Sequence, residues 1–342
     1  MDPTVQRFET DGGARVYRLP LEVFPGFWGF AHLVMADGLR ALVDCGSGLD
    51  TSNDGLERGL AYVRDQCGED IGWDRLTHVL ITHGHIDHFG GLAFVRRKTQ
   101  APVGVHELDR RVLTRYEERV RLVSHRLRAF LVEAGVDPEQ QSRVLELYRV
   151  HKQLFASVPV ELTYEALGMQ LGPLRFTHVP GHCPGHVVMQ IDDLLLAGDH
   201  ILSDISPHQA PESLSDNTGL GHYLESLDRV RPLAASVRWT LGGHQDPVRD
   251  LAARIDAIQV AHRERLGAVL DLLREPHTIA EVSARLFPEV RGYNVLLALE
   301  ETGAHVEYLA QRARIGLVDL EAMDGSGPVP LRYVRVDGAA PS

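Results

Sequence analysis

Over the first hundred positions the apolar residues fall into short runs, at 31–35 and 41–43, bounded by the turn residues Asp37-Gly38 and Gly46-Ser47-Gly48. Runs of that length, closed by residues that tolerate tight turns, predict strands of a sheet. The period then changes. Leu56, Leu60 and Val63 recur at helical spacing and predict a helix over residues 55–66. Residues 77–82 (THVLIT) predict a buried strand, because the run is short, β-branched and followed at once by Gly84.

From about residue 108 to 158 the pattern is that of long, charged, amphipathic helix, with Val112, Tyr116, Val120, Val123, Leu127 and Phe130 near one face. Gly135-Val136-Asp137-Pro138 breaks it, and a second helix is predicted over 138–155. Strand signals resume at 169–179 and 187–197. A last region, 251–342, predicts a helix to about 274, a capping-box start at Thr278-Ile279-Ala280-Glu281, a helix over 293–313 and strand-like runs at 315–320 and 330–336 around Asp324-Gly325-Ser326-Gly327-Pro328, with 338–342 as a frayed end. Three helices and a hairpin are the outline of a winged helix. The domain expectation is therefore a strand-rich unit over 1–250, carrying a helical insertion at about 108–158, and a small winged-helix-like unit over 251–342.

Composition adds limits. The 342 residues are 44% hydrophobic and 24% charged, an ordinary globular balance, and no run is long and apolar enough to predict a membrane span. With 35 Lys and Arg against 47 Asp and Glu, the net charge is −12, which disfavours long-range attraction to phosphate backbones or anionic membranes. The cysteines Cys45, Cys67 and Cys183 lack the spacing of a zinc knuckle or a disulfide framework. With no basic-then-apolar N-terminal segment, the expected location is the cytoplasm.

Candidate chemistry concentrates where the 77–82 strand ends. His83, His85, Asp87 and His88 place four metal-binding side chains within six residues, beside a glycine that lets the backbone turn sharply. Histidines two apart can point to one side while Asp87 and His88 point to another, so one loop can serve two adjacent ions. Further ligands must come from other strand ends, because a two-metal site needs more groups than one loop supplies. His182 (in Pro180-Gly181-His182-Cys183-Pro184-Gly185-His186), Asp199 (in Leu196-Ala197-Gly198-Asp199-His200) and His244 (in Leu241-Gly242-Gly243-His244) each follow an apolar run and a glycine. Taken singly, each is equally an ordinary turn residue.

In order and local setting, these residues resemble the metallo-β-lactamase superfamily, and within it the hydroxyacylglutathione hydrolase-like branch. The resemblance covers roughly residues 16–248, including Leu42-Val43-Asp44-Cys45-Gly46. It implies an α/β fold, an αββα sandwich with metals at one edge of two packed sheets. It also implies that His83, His85 and His182 hold a first ion, that Asp87, His88 and His244 hold a second, and that Asp199 bridges them. On this resemblance Asp44 supports the metal loop by hydrogen bonds. His186 and His200 are supporting or structural groups, and Cys183 stands where the family commonly has Ser or Thr and is read as a small packing residue.

The expected cofactors are two divalent ions, zinc first, with iron or manganese as alternatives. The expected activity is hydrolysis by a metal-bridging hydroxide, with Asp87 and Asp199 orienting it as the catalytic carboxylates. The expected substrate is a small acyl molecule, a carboxylic thioester or ester including lactones. The C-terminal unit also resembles the appendage of lactamase-β-like hydrolases, some of which are endoribonucleases, so a phosphodiesterase acting on RNA is the rival. Glu300, Glu301 and Glu307 on the 293–313 helix make it a poor phosphate ligand. A non-catalytic protein that keeps the metals structurally is the third reading. The insertion is expected to be a lid or a packing or dimerisation element, and a homodimer is possible on this reading.

Overall fold

The computed structural model describes residues 3–152, 155–318, 320–325 and 327–336. The end of the helix predicted over 138–155, Ser326 of the 324–328 loop and the 338–342 tail thus fall wholly or partly outside the described residues. The chain forms two compact units. Within the described residues, the first comprises stretches up to Tyr116, Phe155–Pro207 and Ser226–Asp256; the second comprises stretches from Glu117 to 152, His208–Glu225 and the chain from Ala257 onward.

The first unit holds two sheets. One runs in the order β1(Gln6–Glu9), β2(Arg15–Phe24), β3(Phe27–Ala36), β4(Leu39–Val43), β5(His78–Leu80), β6(Val103–Val105) and β7(Leu162–Thr163). It is antiparallel from β1 to β4 and parallel from β4 to β7. Parallel neighbours require crossovers; α1(Asp50–Asp65) makes the one between β4 and β5, and the short α2(Ile86–Phe89) and α3(Leu92–Val95) lie between β5 and β6. The other sheet has β8(Gln170–Leu171), β9(Leu174–His178), β10(Val187–Ile191), β11(Leu194–Gly198) and β12(Trp239–Gly242), in the order β12-β11-β10-β9-β8, with only β11 and β12 parallel.

Alternation along the strands sends one face of each sheet into a shared core. Val16, Val34, Ala41 and Val43 from the first sheet cluster with Phe176, Met189, Leu194 and Leu196 from the second. On the opposite face of the first sheet, Gly55 and Gly59 of α1 bring its backbone against Leu21 and Leu19 of β2. Two packed sheets with helices outside them give the α/β sandwich that the resemblance implies.

Helix α4(Glu107–Thr114) belongs to the first unit, while α5(Tyr116–Glu133) and α6(Pro138–Lys152) fall largely in the second. The single long helix predicted from 108 is therefore two, because Arg115 leaves helical geometry at φ −135°, ψ 45°. The runs predicted at 169–179 and 187–197 are likewise hairpins rather than single strands. Gly172 (φ 54°) and Asp192 (φ 49°) turn the chain back midway.

α7(Leu220–Val230) and α8(Leu251–Leu272) follow, then α9(Ile279–Leu286), α10(Asn294–Gln311) and the antiparallel pair β13(Ile315–Val318) and β14(Arg332–Arg335). The capping box read at Thr278 forms: its hydroxyl accepts from the Glu281 amide, and the Glu281 carboxylate accepts from the Thr278 amide at 2.9 Å. Among the described residues, no helix is long and apolar enough to cross a membrane.

Candidate metal centre

Every predicted ligand lies at or just beyond the C-terminal end of a strand: His83, His85, Asp87 and His88 after β5, His182 after β9, Asp199 after β11 and His244 after β12. The pairing makes β9, β11 and β12 co-directional, since β10 is antiparallel to both β9 and β11. All of these ligand loops consequently emerge at one edge. Gly198 allows the turn into Asp199: its φ is 50°, and a Cβ there would come within 2.9 Å of the His186 Nε2 and the Thr82 hydroxyl. Gly243 is needed for a different reason, because a side chain would strike His88 at 2.5 Å and Asp199 at 2.6 Å.

The seven residues converge. Ligand atoms of His83, His85 and His182 gather within 4.8 Å of one another, as do those of Asp87, His88 and His244, and those of His83, His88 and Asp199. Asp199 stands between the groups, with Oδ1 3.4 Å from His88 Nε2 and Oδ2 3.5 Å from His244 Nε2 and 3.8 Å from His182 Nε2. Asp87 Oδ2 is 3.2 Å from His244 Nε2 and 4.0 Å from His88 Nε2. His85 is half-buried, whereas His83 and His88 are almost wholly enclosed.

Hydrogen bonds fix which nitrogen each ring presents. Asp44 Oδ2 accepts from His88 Nδ1 at 2.9 Å and from the Thr82 hydroxyl at 2.8 Å, while its Oδ1 accepts from the Thr82 amide at 2.8 Å. With its proton committed to Asp44, the Thr82 hydroxyl can only accept from His83 Nδ1, 3.0 Å away. His244 Nδ1 donates to the Trp28 carbonyl at 2.8 Å. In all three rings Nε2 is left to face the cluster, which is how supporting groups orient metal-binding histidines. Asp44 thus supports the loop from behind, as its place in the sequence suggests. His186 supports Asp199 by accepting its backbone amide at Nε2, 3.2 Å away.

The charge balance fits cations. Burial alone would raise Asp87 and Asp199, but the neighbouring His244 and His88 hold both carboxylates below their usual range. Burial alone would lower His88 and His244; against it, the facing carboxylates hold His88 well above its ordinary value and lift His244 to about 10. Two imidazolium protons therefore supply positive charge that the enclosed carboxylates demand. His83 is different: burial, followed by repulsion from His88 and His186, keeps it neutral. Its Nε2 and Asp199 Oδ1 are buried without hydrogen bonds. Buried polar atoms left without hydrogen bonds are rare, and a lone pair on each, aimed into a shared space, is what a metal ion satisfies.

One supporting residue escapes sequence reasoning. Asp109, fully buried on α4, accepts from the Gly84 amide at 2.8 Å through Oδ2 and from the Gly185 amide at 3.0 Å through Oδ1. A single carboxylate so clamps the loop bearing His83 to the loop bearing His182. In the sequence it is indistinguishable from an acidic residue favoured by the start of any helix. The Cys183 sulfur, read in the sequence as packing, lies in the same 4.8 Å group as His83, His85 and His182.

Comparison with known proteins gives the same architecture. Residues 27–282 match the family model described as the metallo-beta-lactamase superfamily. The curated "Probable metallo-hydrolase YqjP" of Bacillus subtilis (strain 168) is 25% identical over 291 residues, spanning 81% of this chain and 86% of that protein. A crystal structure of the metallo-beta-lactamase family protein TTHA1429 from Thermus thermophilus superposes with a TM-score of 0.73 at 28% identity, covering 94% of this chain and 98% of that one. A beta-lactamase domain protein from Burkholderia ambifaria gives a TM-score of 0.74 at 22% identity, over 97% and 94% of the two chains.

Proposed function

Since the chain belongs to the metallo-β-lactamase superfamily and is a metallo-hydrolase, we propose that it cleaves a carboxylic thioester or ester, lactones included. In this reading His83, His85 and His182 hold one divalent ion, Asp87, His88 and His244 hold a second, and Asp199 contacts both. Five imidazoles with two carboxylates favour zinc, and the same set also accepts iron or manganese. When bound, the ions supply an activated water and polarise the scissile carbonyl.

The remaining work falls to side chains of this protein. Asp87 and Asp199, ionised and enclosed, would orient the attacking water, and one of the two would receive its single proton on Oδ2, the oxygen each turns toward His244. Asp44, Thr82 and Asp109 keep the ligand loops in register, so little reorganisation accompanies the reaction.

The observation that carries the substrate class is apolar surface beside the ligands. The Phe27 ring, 47% exposed, lies 4.6 Å from the ring of His244. Ile205, 53% exposed, sits on a segment tied to the residue after His244, since the Asp204 amide donates to Gln245 Oε1 at 2.9 Å. An acyl chain has reason to settle on such surface, whereas a phosphodiester backbone would be met by cationic side chains. The ribonuclease reading loses support in the second unit. Helix α10 is buried at ten positions including Glu301 and His305, which leaves no broad face to lie in a nucleic-acid groove.

A screen of the metal-loaded protein against acyl thioesters, lactones, bis-p-nitrophenyl phosphate and single-stranded RNA tests this, with His85→Ala as the blank. Turnover of a thioester or lactone, absent from the blank, is the expected result. Turnover of phosphodiesters alone would replace the acyl reading with the nuclease one.

A further inference from the structure

The sulfur of Cys183 is placed among the three histidines assigned to the first ion, all four ligand atoms lying within 4.8 Å of one another. Cys183 is 5% exposed and follows His182 directly, so the loop that delivers His182 also delivers the thiol. The second observation is independent of the cysteine. His83 is fully buried, and its Nε2 points into the group without a hydrogen bond. A lone pair in that position calls for an electrophile rather than for packing. Imidazole nitrogen and thiolate sulfur are both zinc donors, and the thiol loses its proton to solvent as the ion binds.

We propose that Cys183 is a further ligand of the first metal ion, beside His83, His85, His182 and the shared Asp199. This rests on the two-metal reading above and deepens it. Thiolate is soft, so the first site discriminates for zinc or cobalt against manganese, while the second, with imidazoles and carboxylates, discriminates less. The two ions are therefore unequal in which metal they prefer. Thiol-directed alkylation should release the first ion and leave the second in place.

Cobalt(II) loading of the full chain tests the proposal by spectroscopy rather than turnover. The expected result is an intense near-ultraviolet sulfur-to-cobalt charge-transfer band that is lost in Cys183→Ser, while the visible cobalt bands persist. X-ray absorption of the zinc-loaded wild type, which needs no variant, should show a sulfur neighbour at about 2.3 Å. Cobalt bound with no charge-transfer band, a zinc spectrum without sulfur, or a band unchanged in Cys183→Ser would each overturn the role of Cys183 while leaving the two-metal reading intact. Failure to bind cobalt at all would overturn both.

Discussion

Among the described residues, two clusters bring buried histidine and carboxylate together, and they differ in how their lone pairs are spent. In the second unit, His262, Glu301 and His305 bring their ligand atoms within 4.8 Å, just as the ligand groups of the first unit do. There both Glu301 oxygens are taken, although His262 Nε2 is buried without a hydrogen bond. Arg265 Nη1 donates to Glu301 Oε1 at 2.6 Å, the Gln209 amide donates to Oε2 at 2.7 Å, His262 Nδ1 meets His305 Nε2 at 3.1 Å, and His305 Nδ1 donates to the Glu301 carbonyl at 2.7 Å. In the first unit the carboxylates face imidazole Nε2 atoms, and His83 Nε2 has no hydrogen bond. Proximity of ligand types does not define a metal site; carboxylate and imidazole lone pairs left unspent together do.

The contrast yields graded tests. Removing His85 should lower kcat/KM by on the order of 10³-fold, about 4 kcal/mol of transition-state stabilisation, and reduce bound metal measured by elemental analysis. His262→Gln should leave the metal content unchanged; a matching loss there would erase the distinction between the clusters. Next comes Asp109→Ala, which strips two backbone amides of their acceptor and should destabilise the fold by about 3 kcal/mol, read from the denaturant midpoint, while also weakening the metal. An unaltered midpoint would mean that the clamp between the two ligand loops is not a clamp.

Asp44→Asn should be milder for the fold and specific to the metal. His88 would lose a charged partner at Nδ1, and metal affinity should fall about 10–100-fold in competition with a chelator. The smallest effect belongs to the second cluster. Burial, the largest influence on both rings, lowers the affinity of His262 and His305 for protons, taking His262 from 6.5 to about 3. The unfolded chain then binds protons in that window which the folded chain refuses. Stability contributed by the neutral pair is complete above 6.5 and is lost as the pH falls from there toward about 3. His262→Gln should flatten the slope of stability against pH in that range; an unchanged slope would assign it to other groups.

How much of this is legible in the sequence differs sharply between the loops and their supports. The candidate ligands are readable because they are metal-binding side chains clustered near a glycine at the end of an apolar run, a pattern with few physical causes. The helix after β4 and the capping box at Thr278 are readable from local spacing for the same reason. What escapes depends on contacts distant along the chain. Asp109 acts on Gly84 and Gly185, and nothing near Asp109 announces either amide. Cys183 looks like a packing residue in the sequence, since only the fold brings its sulfur to His83 and His85. The breaks at Arg115, Gly172 and Asp192 are single-residue events inside otherwise consistent patterns. Helix α7 lies in the stretch between Asp199 and His244, where the apolar pattern prompts no assignment. In sequence the acidic residues of α10 mark only a poor phosphate ligand, with no sign of a role in packing. Instead Glu301 is buried against Arg265, and Glu307 accepts the backbone amides of Glu212 and Ser213.

The most direct test of the central claim is the number of zinc ions bound per chain, measured by elemental analysis after loading and removal of excess metal, in the wild type and in His244→Ala. The account predicts about two ions in the wild type and about one in the variant, with the ion near His83 retained. A single ion in the wild type, or a count that His244→Ala leaves unchanged, would contradict it.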